Sequence, residues 1–257
     1  MNPAPKTVYS DLLDEMFSGT VKTENTFKIQ SWKRKAETLK SVSIFQYKLM
    51  TAILETYTNN NKGAASIAES ALLLTQDKQL KAMAYRVIGN CHTHNGNPIL
   101  ALDAYWEAYN LTLDSTYFYD AFTVGTSYVL YDERMNDMKS LNQKDKDYIQ
   151  DELQKLSDEI YTANSNNLNL SLYRDILSSA YKIYFSNCVG RVTRYPNISN
   201  NQIGTILFNP SWDFETVNLL NNQLNDALVV LLNKYDYEEL LKYPIIFTSE
   251  NFENRDM

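Results

Sequence analysis

An all-α fold is predicted from three features of the 257-residue chain. Glycine and proline number only 7 and 6, too few for the many turns of an all-β architecture. Apolar residues recur at helical spacing in several separate stretches, most plainly Phe45, Leu49, Ala52, Ile53 and Tyr57. Positions also return at a constant interval: Ala52 to Gly89, Ala64 to Ala101, Ala68 to Tyr105 and Ala71 to Ala108 are each 37 residues apart. A fixed period of that size marks stacked helical units, each burying its face against its neighbours.

Taken in order, residues 1–7 carry no helical pattern and are expected to form a loose terminus. Val8, Leu12, Leu13 and Phe17 mark a short amphipathic helix ending near Gly19. A second helix is expected from Thr26 through Trp32 to about Leu39. Ser41 or Ser43 is placed to cap the helix that carries Phe45 to Tyr57. Residues 58–63 are asparagine-rich and end on Gly63, a turn before an alanine-rich helix over 64–74.

Beyond Arg134 the pattern fades. After a polar stretch, Ile149, Leu153, Leu156 and Ile160 mark a long helix with an acidic outer face. An asparagine-rich turn at 164–169 separates it from a helix carrying Leu172, Ile176, Ala180 and Ile183. Residues 186–212 are the least regular, punctuated by Gly190, Pro196, Gly204 and Pro210, and the apolar run 203–208 fits either a buried loop or a strand. A strong helix over about 213–235 is carried by Val217, Leu220, Leu224, Leu228 and Leu231. A short helix near 238–241 and a polar, frayed end from Ser249 complete the chain.

The centre of the pattern is 81–114, where two helical runs meet at Asn95-Gly96-Asn97-Pro98. Gly96 suits a positive φ, Asn97 a cap and Pro98 the first helical position. Around this turn stand Tyr85-x2-Ile88-Gly89-x2-His92 and then Ala101-x3-Tyr105-x2-Ala108. This resembles the tetratricopeptide repeat, W-x2-L-G-x2-Y followed by A-x3-F and a later Pro. His92 replaces an aromatic, and Asp114 stands near the place of the closing proline. Ala52 and Gly125 occupy the Gly89 position in the units before and after.

The resemblance implies antiparallel helical hairpins at 41–135, stacked in a right-handed superhelix. A helical segment at 1–40 would precede them and a C-terminal helical cap at 136–257 would close them, as one continuous domain. It also implies packing roles for Ala52, Gly89, Ala101, Tyr105, Ala108 and Gly125, and a concave face lined by Tyr57, Arg86, Asn90, Thr93, Phe122 and Thr126. Arg86 and Asn90 lie four residues apart on one helix face and resemble part of the clamp with which some members hold a peptide carboxylate. The function implied is recognition of a protein or peptide by a non-enzymatic adaptor, scaffold or regulatory module. The alternative is a signalling-peptide sensor, or an envelope- or carbohydrate-associated lipoprotein, built on the same repeats.

The formal charge of −7 disfavours nucleic acid or an anionic membrane as partner, since both need a basic face. No stretch approaches the ~20 apolar residues of a membrane span. Asp11, Asp14 and Glu15 stand where a secretory signal needs an apolar run, so the expected location is cytoplasmic. Two cysteines make no disulfide framework. Cys91-His92-Thr93-His94 does not make a metal site, because residues one or two apart on a helix point to different faces. Neither a nucleophile motif nor a phosphate-cradling loop is present, and no cofactor is expected.

Overall fold

The computed structural model describes residues 5–199 and 201–250. Among them lie eleven α-helices and three short strands, so the chain is mostly helical but not all-α. The first seven helices are α1 (Pro5–Phe17), α2 (Thr26–Leu39), α3 (Ile44–Tyr57), α4 (Asn61–Leu72), α5 (Lys78–His94), α6 (Pro98–Thr112) and α7 (Ser115–Ser127). Each packs on the next, as a helical repeat requires. Residues 5–7, expected to be loose, belong to the first turn of α1, where Pro5 suits a helix start. Residues 1–4 and most of the expected frayed end lie outside the described residues.

Local chemistry sets these boundaries. Ser43 caps α3, its hydroxyl accepting from Gln46 N at 3.2 Å, and Asp77 and Asp114 cap α5 and α7 in the same way. Gly96 takes φ +73° in the α5–α6 turn, as expected. Asn97 precedes Pro98 at the start of α6, but its side chain makes no cap bond; its φ of −109° and ψ of 72° lie outside the extended geometry that caps use.

The period ends physically after α7. Gly125 is followed not by a second helix but by a turn through Val129, whose φ of +56° is strained for a β-branched residue. Arg174 holds that residue's carbonyl with two bonds, from Nε at 3.1 Å and Nη2 at 2.8 Å. A 3-10 turn at Glu133–Asn136 then places Met135 against Gly125, where a second helix would pack.

The remainder is α8 (Gln143–Ser165), α9 (Leu170–Asn187), β1 (Thr193–Ser199), β2 (Gln202–Phe208), α10 (Phe214–Leu231), α11 (Tyr237–Leu240) and β3 (Ile245–Thr248). The sheet order is β1-β2-β3, with β1 antiparallel and β3 parallel to β2. Residues 186–212, read as irregular, therefore hold a hairpin. Ile203, Thr205 and Leu207 point inward at strand spacing. One apolar cluster runs without a break from Ala101 and Tyr105 through Tyr173 and Tyr184 to Phe247. The core thus crosses position 135, and no helix among the described residues is long and apolar enough to cross a membrane.

The N-terminal helices are tied to the end of α9 by a short backbone bridge, Lys22 N to Asn187 O at 2.8 Å and Val189 N to Thr20 O at 3.0 Å. It leaves Lys22 only 9% exposed, with Nζ donating to Asn59 Oδ1 at 3.0 Å. Burial pulls its ammonium down to about 8 from an ordinary 10.5. Between those values the unfolded chain holds a proton that the folded one has released, so this group's contribution to stability rises with pH. Below pH 8 the buried charge costs up to about 3 kcal/mol, offset in part by its hydrogen bonds. Lys22→Met is therefore expected to stabilise by about 1–3 kcal/mol at pH 7, with the gain shrinking toward pH 10.5. Denaturant melts at pH 7 and 10 check this, and a gain independent of pH would refute it.

Candidate functional site

A groove of about 1170 Å³ runs between the repeat helices and the C-terminal region. Helical periodicity builds two of its walls. On α7, Tyr119, Phe122, Thr123 and Thr126 fall at i, i+3, i+4 and i+7 and line it together. On α8, Tyr148, Glu152, Lys155 and Glu159 line it from one face, with Leu156, Asp158 and Thr162 beside them. Asn90 and Thr93 of α5 close one end, and residues 190–196 with Ile198 form the opposite side.

The base of the groove is an ion pair. Arg194 of β1 and Glu159 of α8 are 10% and 6% exposed and meet as a two-pronged pair, Nη1 to Oε1 at 2.7 Å and Nη2 to Oε2 at 2.8 Å. Nη2 also donates to the Thr126 carbonyl at 3.0 Å and Nη1 to the Tyr173 hydroxyl at 3.1 Å, which lies 2.7 Å from Thr205 Oγ1. Three helices, α7, α8 and α9, thus converge on one guanidinium carried by β1. Burial pulls it down, but the bonds and charge of Glu159 outweigh burial and hold it above its ordinary value. Burial pushes the Tyr173 hydroxyl up to about 12.

In the lining, Nδ1 of His94 is buried without a hydrogen-bond partner among the described residues. The His94 ring stacks on Phe185 at 4.4 Å, and burial, helped by the charge of Lys22, holds it down to about 3. It is neutral at physiological pH.

Of the six residues assigned to the concave face, the structure brings Asn90, Thr93, Phe122 and Thr126 to this groove and leaves two elsewhere. Arg86 is not in the lining. Its Nε lies 2.7 Å from Asp120 Oδ2 in ion-pair contact, and Nη2 donates to Oδ1 at 3.3 Å, so the cation expected for a ligand carboxylate already faces one. Tyr57 is buried in the N-terminal core, its hydroxyl accepting from Thr23 N at 2.7 Å. Phe122 and Thr93 are themselves largely buried. Asn90 Oδ1 accepts from the Tyr105 hydroxyl at 2.6 Å, which leaves its amide nitrogen for a ligand.

Tyr148, Tyr195, Glu159 and Arg194 were not singled out by sequence reasoning. The acidic outer face of α8 gives, by its periodicity, no sign that a strand lies against it. Cys91 is buried with Sγ 3.1 Å from Thr56 Oγ1, and Cys188 is buried beside the Val21 bridge. Among the described residues no group of three or more His, Cys, Asp or Glu is placed to hold a metal ion. In comparisons with known proteins, the chain matches no family model, no curated protein and no solved structure.

Proposed function

We propose that the chain is a non-enzymatic recognition module of the tetratricopeptide type, an adaptor or regulatory protein that holds a protein or peptide segment. In this reading the hairpins of 41–135 stack as a right-handed superhelix, residues 136–257 close it as a cap, and the ligand lies in the groove between them. The supporting observation is the groove's lining. It joins Asn90 and Thr126, predicted from the repeat register, to the exposed tyrosines Tyr148 and Tyr195 across a slot too large for a typical small-molecule pocket. Rigid aromatics beside adaptable amides and hydroxyls are the composition of a protein-binding surface.

The test is selection from a displayed library of linear dodecapeptides against the purified chain. Enrichment of related sequences is expected, with binding lost when Thr123, exposed on the α7 wall, is changed to Trp so that an indole fills the slot. No enrichment, or selected peptides indifferent to Thr123→Trp, would overturn the reading.

A further inference from the structure

We infer that the ligand segment binds as an added strand, pairing its main chain with the open edge of β1; this rests on the peptide reading above. The sheet has two edges, and they differ. On β3 the side chain of Asn221 takes a neighbouring strand's place, its Nδ2 donating to Phe247 O and its Oδ1 accepting from Phe247 N, both at 2.9 Å. That edge is covered by α10.

The β1 edge is open, and the register says which groups it offers. Ile203 N, Thr205 N and Asn209 N donate to β3 or its flanks, so the odd-numbered residues of β2 face β3 and the even-numbered ones face β1. In an antiparallel pair, opposed residues alternate between pairs that exchange main-chain bonds and pairs that do not, and here the even-numbered residues of β2 make the bonded pairs. Thr193, Tyr195, Asn197 and Ser199 therefore turn their main chain toward β2, and Arg194, Pro196 and Ile198 turn theirs outward. Proline at an outward position fits, because it has no N–H to offer and is confined to edges. Five main-chain groups remain: N–H and C=O of Arg194 and Ile198, and C=O of Pro196. No backbone or side chain of the described residues bonds to any of them across that edge.

The groove lies along this edge rather than over a face of the sheet. Thr193, Arg194, Tyr195 and Pro196 all line it, although consecutive strand residues point to opposite faces, and β2 contributes nothing to it. A strand laid there extends the sheet from β1 and lies against the α7 and α8 walls that Arg194 ties to β1. At ~3.3 Å per residue the paired stretch takes a segment of about five or six residues.

Charge defines the segment further. In the lining, Glu159 is matched by Arg194 and Asp120 by Arg86 from outside it, while the cation of Arg191 stands on the side away from α8. Lys155 is shared between Glu152 of the lining and Asp151 beside it, leaving one negative charge there, and among the described residues Asp158 is bonded only to the neutral Gln154. The α8 wall is thus acidic. The occupant is an extended segment of a partner protein with a lysine or arginine facing α8, recognised by alternate side chains and by its main chain.

The probe is the best dodecapeptide from the selection, resynthesised with each amide N-methylated in turn. N-methylation at alternate positions is expected to weaken binding at least tenfold, and at the intervening positions less than threefold. Lys→Glu or Arg→Glu in the peptide is expected to weaken it at least tenfold. A profile without alternation, in a peptide that Thr123→Trp still displaces, would overturn strand addition while leaving the groove reading intact. If no peptide is selected, both fall.

Discussion

Glu159→Gln is expected to destabilise the protein by about 3–5 kcal/mol, the cost of leaving a buried cation without its counter-charge. The pair is largely buried on both sides, and Arg194 stays held by Tyr173 and Thr126 when Glu159 is neutralised, so its charge remains mostly desolvated at the floor of the groove. For a chain of this length the melting temperature should fall by on the order of 10 °C. Replacing both partners by apolar residues, Glu159→Leu with Arg194→Met, should recover most of the loss, because neither desolvated charge then remains. Equal melting temperatures for the wild type and Glu159→Gln would refute the arrangement. The same pair holds β1 against α7 and α8, so Glu159→Gln should also widen the groove and weaken any peptide that spans it.

Gly89→Leu is expected to cost at least about 3 kcal/mol, beyond the usual range for overpacking, because the side chain in its way is held in place. A Cβ at position 89 would stand 2.6 Å from Tyr105 Cε1 and 2.8 Å from its Cδ1 and Cζ. The Tyr105 ring does not swing aside, since its hydroxyl donates to Asn90 and lies 3.4 Å from Thr93 Oγ1, both on the helix it packs against. Even Gly89→Ala should be destabilising, although alanine favours a helix interior over glycine by about 1 kcal/mol. Glu107→Leu, on the exposed face of α6, is the control and should lie within ~0.5 kcal/mol of wild type. Denaturant melts on the three variants decide it, and a Gly89→Ala as stable as wild type would remove the close packing of α5 on α6.

What was legible in the sequence was local. The bounds of α2, Thr26–Leu39, and the Ser43 cap follow from short-range signals. Asn90, Thr93, Phe122 and Thr126 reach the groove because the repeat register alone sets their helix faces. The sheet was not legible. Ile206 sits between the inward Thr205 and Leu207, so an alternating strand reads as a continuous apolar run. Its parallel neighbour β3 is four residues long and lies some forty positions away, too short to show a period. Arg86 and Tyr57 were assigned from helix position, but Asp120 and Thr23, which engage them, lie 34 residues away in the chain. Tyr148 and Glu159 repeat at helical spacing beside many charges, the pattern of a solvated face, and only the non-local approach of β1 turns that face into a wall.

Titration calorimetry of the selected peptide into the wild type, Tyr148→Ala and Tyr161→Ala is the most direct test that this groove is the binding site. Both tyrosines stand on α8, 55% and 73% exposed, and only Tyr148 lines the groove. Losing an aromatic anchor at the centre of an interface costs roughly 2 kcal/mol or more, about 30-fold in affinity. At least a tenfold loss is therefore expected for Tyr148→Ala, with Tyr161→Ala indistinguishable from wild type. Equal affinities across all three proteins, or a larger loss with Tyr161→Ala, would contradict a ligand in the groove.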